Sequence, residues 1–421
     1  MMRVLFTVVS STSHLYPIVP LAGALRGAGH EVCVASHPDM VDAITTTGLT
    51  AVSVGETMDI AAIVQGDDEA RRIVVDALSG DLGRLRKSDR QYLLSAFSMY
   101  YPAEPPGPEH RPLVDDLVDF ARGWRPDLII WDPLFLPAPI AARACGAAHA
   151  RFLWGLDDFA WIRVKLLDKL NEQGSDLTED VMAALMAPTL RRFGDEFDEE
   201  MLIGQWTIDP MATRMRLPLD LRSIPIRSVP YNGSAAIPEW LWRQPERPRV
   251  CLTLGLALRK FFQATDVPLA DLFDMVADMD IEVVATLNAT QLAVVGTVPG
   301  NVRVVDYLPL HLLLPTCSAI IHHGGTGTFA AAVANKVPQL ISLEDGADYD
   351  DLAKYVVDRG AGLVVDSVGF SADAVRKQLI QILTEPSFTD GAISLYEDSL
   401  ATPSPNDLVP MLEKLTALHR G

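Results

Sequence analysis

At 421 residues the chain has room for two or three domains, and 49% hydrophobic against 21% charged residues is the balance of a globular protein with ample core. Its 35 Lys and Arg against 55 Asp and Glu leave a formal net charge of −20, which argues against nucleic acid as a partner, since binding phosphate backbones needs a basic face. Cys33, Cys145, Cys251 and Cys317 lie far apart in apolar contexts with no C-x-x-C pair, so buried free thiols in a reducing cytoplasm are expected, and neither disulfides nor a zinc site.

The chain opens on a β-loop-α unit. Residues 3–9 are β-branched and apolar, as a buried parallel strand should be, and too few to cross a membrane. Residues 10–17 read as a polar loop and 18–25 as a helix ending near Gly27 and Gly29. Residues 30–35 form the second strand, and the pattern returns at 127–132 and 148–154. Strands alternating with helices imply a parallel, doubly wound sheet. Residues 56–112 break the rhythm with helical stretches and the run Tyr101-Pro102-Ala103-Glu104-Pro105-Pro106-Gly107-Pro108. They are either an insertion shaping a ligand pocket over the sheet's carboxyl end or a solvated helical excursion. Residues 157–199 read as helical, and the proline and turn density of 217–238 reads as a linker.

A second α/β pattern follows. Residues 249–254 form a strand running into Gly255, with further strands at 281–286, 302–306, 338–342 and 362–365. Residues 407–419 look like a surface helix. The domains expected are 1–216 and 234–402, both Rossmann-like, with a helix at about 403–421 packing back on the first. Two such halves facing one another would leave a central cleft at the carboxyl ends of both sheets.

Between two of the later strands stands His322-His323-Gly324-Gly325-Thr326-Gly327-Thr328, directly after Ser318-Ala319-Ile320-Ile321. It reads strand, glycine-rich turn, helix start. Glycines let a backbone approach a phosphate closely, and the N–H groups at the head of the next helix point at it. Such turns also occur where nothing binds; the adjacent histidines, as extra donors, weigh toward a diphosphate.

At this point the chain resembles the GT-B glycosyltransferases of antibiotic biosynthesis, glycosyltransferase family 1, over nearly its full length. The first half carries the likeness in Ser13-His14-Leu15 with Val19-Pro20-Leu21-Ala22, in Trp124-Arg125-Pro126-Asp127-Leu128 and in Ala138-Pro139-Ile140-Ala141-Ala142. The second carries it in Cys251-Leu252-Thr253-Leu254-Gly255 and in the glycine-rich turn. Gly204-Gln205-Trp206-Thr207-Ile208-Asp209-Pro210 and Tyr231-Asn232-Gly233 resemble the desosaminyl-type subgroup, which acts on macrolides.

The resemblance implies a GT-B fold and an inverting transfer of a deoxysugar from a dTDP-sugar to a hydroxyl of a macrolide or polyketide aglycone. It implies no metal and no cofactor beyond the dTDP-sugar co-substrate. His14 matches the general base and Asp132 its acidic partner. By position alone His14 reads rather as a polar loop histidine with no catalytic role, a preference the resemblance reverses, and Asp132 could be a helix cap or a surface ion-pair member. Gly255, His322, His323, Gly324, Gly325, Gly327 and Thr328 match the diphosphate site. His322 is preferred to His323 for the phosphate contact for its place in the motif, and because adjacent strand residues face opposite sides, at most one of the two is expected to point at the ligand.

Two departures stand out. Leu256-Ala257-Leu258 offers no side-chain donor where relatives carry hydroxyls. Asp348-Tyr349 replaces the Asp-Gln that holds sugar hydroxyls, within an acidic run of Glu344, Asp345, Asp350 and Asp351. That run suits a deoxysugar or an amino sugar, a weakened enzyme, or a solvated face. The acceptor pocket is expected from residues 56–112 and from the Trp154–Trp161 region. An auxiliary protein related to cytochromes P450 is implied as a partner, and a homodimer is the remaining association to consider. The rival readings are a catalytically weak or inactive homologue acting as a binding or partner protein, and a sugar-nucleotide epimerase.

Overall fold

A computed structural model of the chain describes residues 1–58, 113–175, 177–255, 269–293, 295–342, 351–365 and 371–421. The acceptor-pocket segment beyond residue 58, Leu256-Ala257-Leu258, and Asp348 with Tyr349 lie outside these residues. Two compact units divide the chain: Met1–Arg227 with Pro403–Gly421, and Ser228–Thr402.

The first unit is a seven-stranded parallel sheet of β1 (Arg3–Thr7), β2 (Glu31–Ser36), β3 (Thr50–Ser53), β4 (Leu128–Trp131), β5 (Ala148–Phe152), β6 (Trp206–Asp209) and β7 (Ser223–Pro225). Their order across the sheet is β3-β2-β1-β4-β5-β6-β7. Val4, Leu5 and Phe6 are all fully buried, because helices cover both faces of a parallel sheet. On one face the Thr12–Gly27 helix buries Leu15, Ile18, Leu21 and Leu25 against Val4, Phe6, Leu128 and Ile130. The Pro405–His419 helix adds Leu408, Val409, Leu412 and Leu415 to the same core. Its start is set by a reciprocal cap, in which Ser404 and Asp407 each take the other's backbone N–H, with Pro405 at the first helical position.

The second unit is a six-stranded parallel sheet of β8 (Arg249–Thr253), β9 (Glu282–Thr286), β10 (Val302–Val305), β11 (Ala319–His322), β12 (Gln339–Ser342) and β13 (Gly362–Val365). The order is β10-β9-β8-β11-β12-β13. Alternation along the strands splits the core in two. Val250, Leu252, Val283 and Ile321 meet Leu272, Phe273, Leu379 and Ile382 on one face. Cys251, Val284 and Ile320 meet Leu313, Leu314, Ala331 and Ala332 on the other.

Both sheets reverse their strand order at the same place, between the first strand and the fourth: β1 beside β4, and β8 beside β11. Ligands of open α/β sheets bind outside the carboxyl ends of the strands at such a reversal.

Three expectations are corrected. The polar loop over 10–17 is helix from Thr12 onward, with Pro17 and Pro20 inside it. Interior prolines cost about 3 kcal/mol each, and the buried apolar face, worth about 1.5–3 kcal/mol per large side chain, offsets that. The linker expected over 217–238 supplies β7, which pairs with β6 and carries the first unit through Arg227. The final helix is half core, with Leu412 fully buried. No described helix is long and apolar enough to cross a membrane.

Candidate active site

In the first unit, β1 is followed by a tight turn in which the Ser11 N–H reaches the Val9 carbonyl at 2.6 Å. Helix begins at once, and the His14 N–H donates to the Ser11 carbonyl at 3.1 Å. His14 therefore stands in a helical first turn at the carboxyl end of β1. Asp132 follows β4, the strand beside β1, and its N–H donates to the Thr7 carbonyl at 3.0 Å. Neighbouring parallel strands thus bring two residues 118 positions apart into contact: His14 Nδ1 hydrogen-bonds Asp132 Oδ2. Both side chains are almost wholly buried.

The second carboxylate oxygen, Oδ1, accepts the Leu134 N–H at 2.8 Å. An ionised carboxylate can only accept, so against Asp132 the imidazole donates from Nδ1. Nε2 then keeps its lone pair, the form a general base requires. The Trp154 ring lies 4.6 Å from the imidazole, centroid to centroid, at an interplanar angle of 53°. The structure brings together the pair expected from sequence, and excludes the helix-cap and surface-ion-pair alternatives for Asp132.

In the second unit, the reversal between β8 and β11 places Gly255 beside the turn after His322, for His322 and Thr253 are level across the two strands. His323 lies in a slot between two glycines. A Cβ built on Gly255 would sit 2.3 Å from His323 Cε1, and one built on Gly325 would sit 2.7 Å from Nε2. Gly255 also has φ +74°, a left-handed conformation that suits glycine. The Thr326–Ala334 helix starts from Gly325 without a side-chain cap. Gly325 itself has no side-chain oxygen to compete for the N–H groups at the helix head, and such groups favour an anion.

His322 is placed otherwise than expected. Its ring is buried, Nδ1 accepts the Gly324 N–H at 3.1 Å, and Nε2 meets Gln339 Oε1 at 3.0 Å. Burial pushes its pKa down to about 4, so the ring is neutral. With both nitrogens engaged inside the protein, His322 has no donor left for a phosphate. His323 is the histidine that shares the turn with Gly255 and Gly325. Gly327 is exposed at the helix start and Thr328 is buried beneath it.

Family models decide the wider assignment. Residues 23–255 match the erythromycin biosynthesis protein CIII-like N-terminal domain, and residues 270–415 the corresponding C-terminal domain. The chain belongs to this glycosyltransferase family. Among the relatives of this CIII-like glycosyltransferase is the aclacinomycin-T 2-deoxy-L-fucose transferase of Streptomyces galilaeus, 44% identical over 100% of this chain and 97% of that protein. Another is the 10-deoxymethynolide desosaminyltransferase of Streptomyces venezuelae, 42% identical over 100% and 98%. Among solved structures, spinosyn forosaminyltransferase SpnP superposes with a TM-score of 0.82 at 40% identity over 99% of each chain. Glycosyltransferase VinC in complex with dTDP does so with 0.83 at 39% identity, over 99% of this chain and 100% of that one. The fold is GT-B, with two Rossmann-like α/β units, and the enzyme is a glycosyl-group transferase of class EC 2.4.

Sequence reasoning missed two supports of the CIII-like site. Gln339 lies level with Ile320 on the strand beside β11, so it shares a sheet face with His322. A glutamine within the otherwise apolar run 337–341 was the available signal. The Thr286 hydroxyl bonds Thr253 Oγ1 at 2.7 Å, and Thr253 in turn accepts the Gly255 N–H at 3.4 Å. Two threonines at strand ends carry no signal of their own. Among the described residues, no group of three or more His, Cys, Asp or Glu side chains is placed to hold a metal ion.

Proposed function

We propose that the chain transfers a deoxysugar from a dTDP-sugar to a hydroxyl of a polyketide aglycone, with inversion at the anomeric carbon and without a metal. The buried His14–Asp132 pair at the β1/β4 reversal carries this reading. His14 Nε2 takes the proton of the acceptor hydroxyl as its oxygen bonds the anomeric carbon. The bond from that carbon to the diphosphate breaks, and the electron pair leaves with the diphosphate. Asp132 holds the ring in its reactive tautomer and stabilises the imidazolium that forms. Charge growing on the leaving diphosphate meets the N–H groups at the head of the Thr326–Ala334 helix and the His323 ring, donors fixed before reaction.

The donor assignment is supported by VinC, solved with dTDP, and the acceptor class by relatives named as an aclacinomycin-T 2-deoxy-L-fucose transferase and a 10-deoxymethynolide desosaminyltransferase. Asp348 and Tyr349 are proposed sugar contacts on the resemblance alone. The free cysteines support a reducing cytoplasm. A P450-related auxiliary protein and a homodimer are proposed on the same resemblance; co-expression and light scattering of the purified chain test them. The relatives reported are named as transferases, which lends nothing to the epimerase or the inactive-homologue reading.

Purified enzyme assayed with a panel of dTDP-deoxysugars and polyketide aglycones should form glycoside, and the His14→Ala variant should lose transfer while binding dTDP as wild type does. Full turnover by that variant would overturn the base. Donor consumption without acceptor would favour the epimerase.

A further inference from the structure

We infer that His322 is a positioning residue for the anion-binding turn, acting through the Gly324 N–H and the Gln339 side chain and never touching the ligand. This rests on the reading that a diphosphate sits at that turn.

The geometry is specific. His322 ends β11 in register between Thr253 of β8 and Ile341 of β12, so its backbone is fixed from both sides. Because Nδ1 accepts the Gly324 N–H, the ring proton belongs on Nε2, where the Gln339 carbonyl oxygen receives it. The glutamine is fully buried and turns its oxygen to the ring; the opposite orientation would set two donors face to face. Gly324 has φ +88°, and its N–H is tied back to the residue two positions earlier. A side chain closing a ring onto the N–H two residues on is the local pattern that Asn and Asp use in turns; here an imidazole makes it from the end of a strand.

Two consequences follow. The turn is shaped before any ligand arrives, which removes ordering cost from binding. The next residue, His323, is delivered into the Gly255–Gly325 slot by a backbone whose preceding and following residues are both held. A neutral ring is required, since an imidazolium would point N–H at N–H; the complete burial of His322 keeps it neutral.

The test uses the full chain and dTDP as probe, by calorimetry, with donor and acceptor KM measured in parallel. The His322→Leu variant removes the acceptor for Gly324. Its dTDP Kd and donor KM should each rise about tenfold or more, with acceptor KM unchanged. The His322→Asn variant offers an oxygen to the same N–H and should return to within about threefold of wild type. A merely structural histidine would give no such rescue, because asparagine suits a strand poorly. Should His322→Leu fail to fold, Gln339→Leu takes its place, and dTDP affinity should fall about threefold to tenfold because the ring loses its anchor. A folded His322→Leu or Gln339→Leu variant with wild-type affinity, or a folded His322→Asn as weak as His322→Leu, would overturn the inference. If the wild type itself ignored dTDP, the donor reading would fail first.

Discussion

Asp132→Asn is the sharpest perturbation of the base, because it preserves shape and changes only what the oxygens can accept. One oxygen takes the Leu134 N–H at 2.8 Å and the other takes His14. Asparagine has one oxygen and one NH2. The Leu134 N–H is an immovable donor, so the amide oxygen must stay there and the NH2 must face His14. Nδ1 then has to accept, and the ring proton moves to Nε2, the atom that should take the acceptor's proton. The variant thus holds its histidine in the wrong tautomer. Loss of general-base catalysis is worth about 10²–10⁴ in rate, or roughly 3–5 kcal/mol of barrier. The assay is kcat at saturating dTDP-sugar and aglycone, beside dTDP affinity by calorimetry and an unfolding midpoint. The expected result is a kcat lowered about a thousandfold with dTDP affinity and fold intact. A kcat within a few-fold of wild type would refute the tautomer reasoning and with it the role of Asp132.

Gly255→Ala should strain a left-handed residue by about 1–2 kcal/mol and force His323 out of its slot, since the new Cβ would lie 2.3 Å from the ring. Affinity for dTDP should fall about tenfold to a hundredfold while the unfolding midpoint falls by only the few degrees that strain implies; calorimetry that finds no change would exclude His323 as the phosphate contact. Arg151 is fully buried and holds Asp157 through two bonds, at 3.0 and 2.6 Å, so Arg151→Met should strand that carboxylate and cost about 3–5 kcal/mol by urea unfolding. A cost under about 1 kcal/mol would show the pair to be replaceable. His149 is fully buried, and burial, with Arg143 nearby, depresses its pKa to about 3. The folded state refuses a proton that the unfolded state accepts below about 6.5, so this contribution is complete at neutral pH and fades as pH falls from there toward 3. Between pH 7.5 and 5.5 wild type should therefore lose about 1.4 kcal/mol more than His149→Leu, measured by urea unfolding at both values; equal losses would place the titration elsewhere.

Much of the fold was legible because a parallel sheet buried on both faces writes its strands as near-continuous apolar runs, as at 4–9 and 319–321. What failed to read was local and has physical causes. The first helix hid behind Ser10 through Ser13 and two interior prolines, which signal loop when taken singly; only burial of Leu15 and Ile18 makes helix win. β7 hid because it is three residues ending in Pro225, held by β6 alone. The choice between His322 and His323 shows the limit most clearly. Alternation said that one ring faces the ligand and the other turns away. Which one turns away depended on Gln339, 17 residues on, and on a strand register that no local pattern encodes.

The two units solve different electrostatic problems with one strand order. Moving a proton needs an atom whose occupancy changes, so the first unit spends side chains at its reversal, a histidine in a helical turn and a carboxylate from the neighbouring strand. Spreading the charge of a leaving diphosphate needs donors that never change, so the second spends backbone, and its cap residue is Gly325, which has no side chain to compete for the helix N–H groups. Tolerance should differ accordingly. In the first unit a residue is replaceable if its substitute keeps the same lone pair in the same place. In the second the constraint is space: a single methyl at Gly255 or Gly325 displaces the His323 ring, whatever its chemistry.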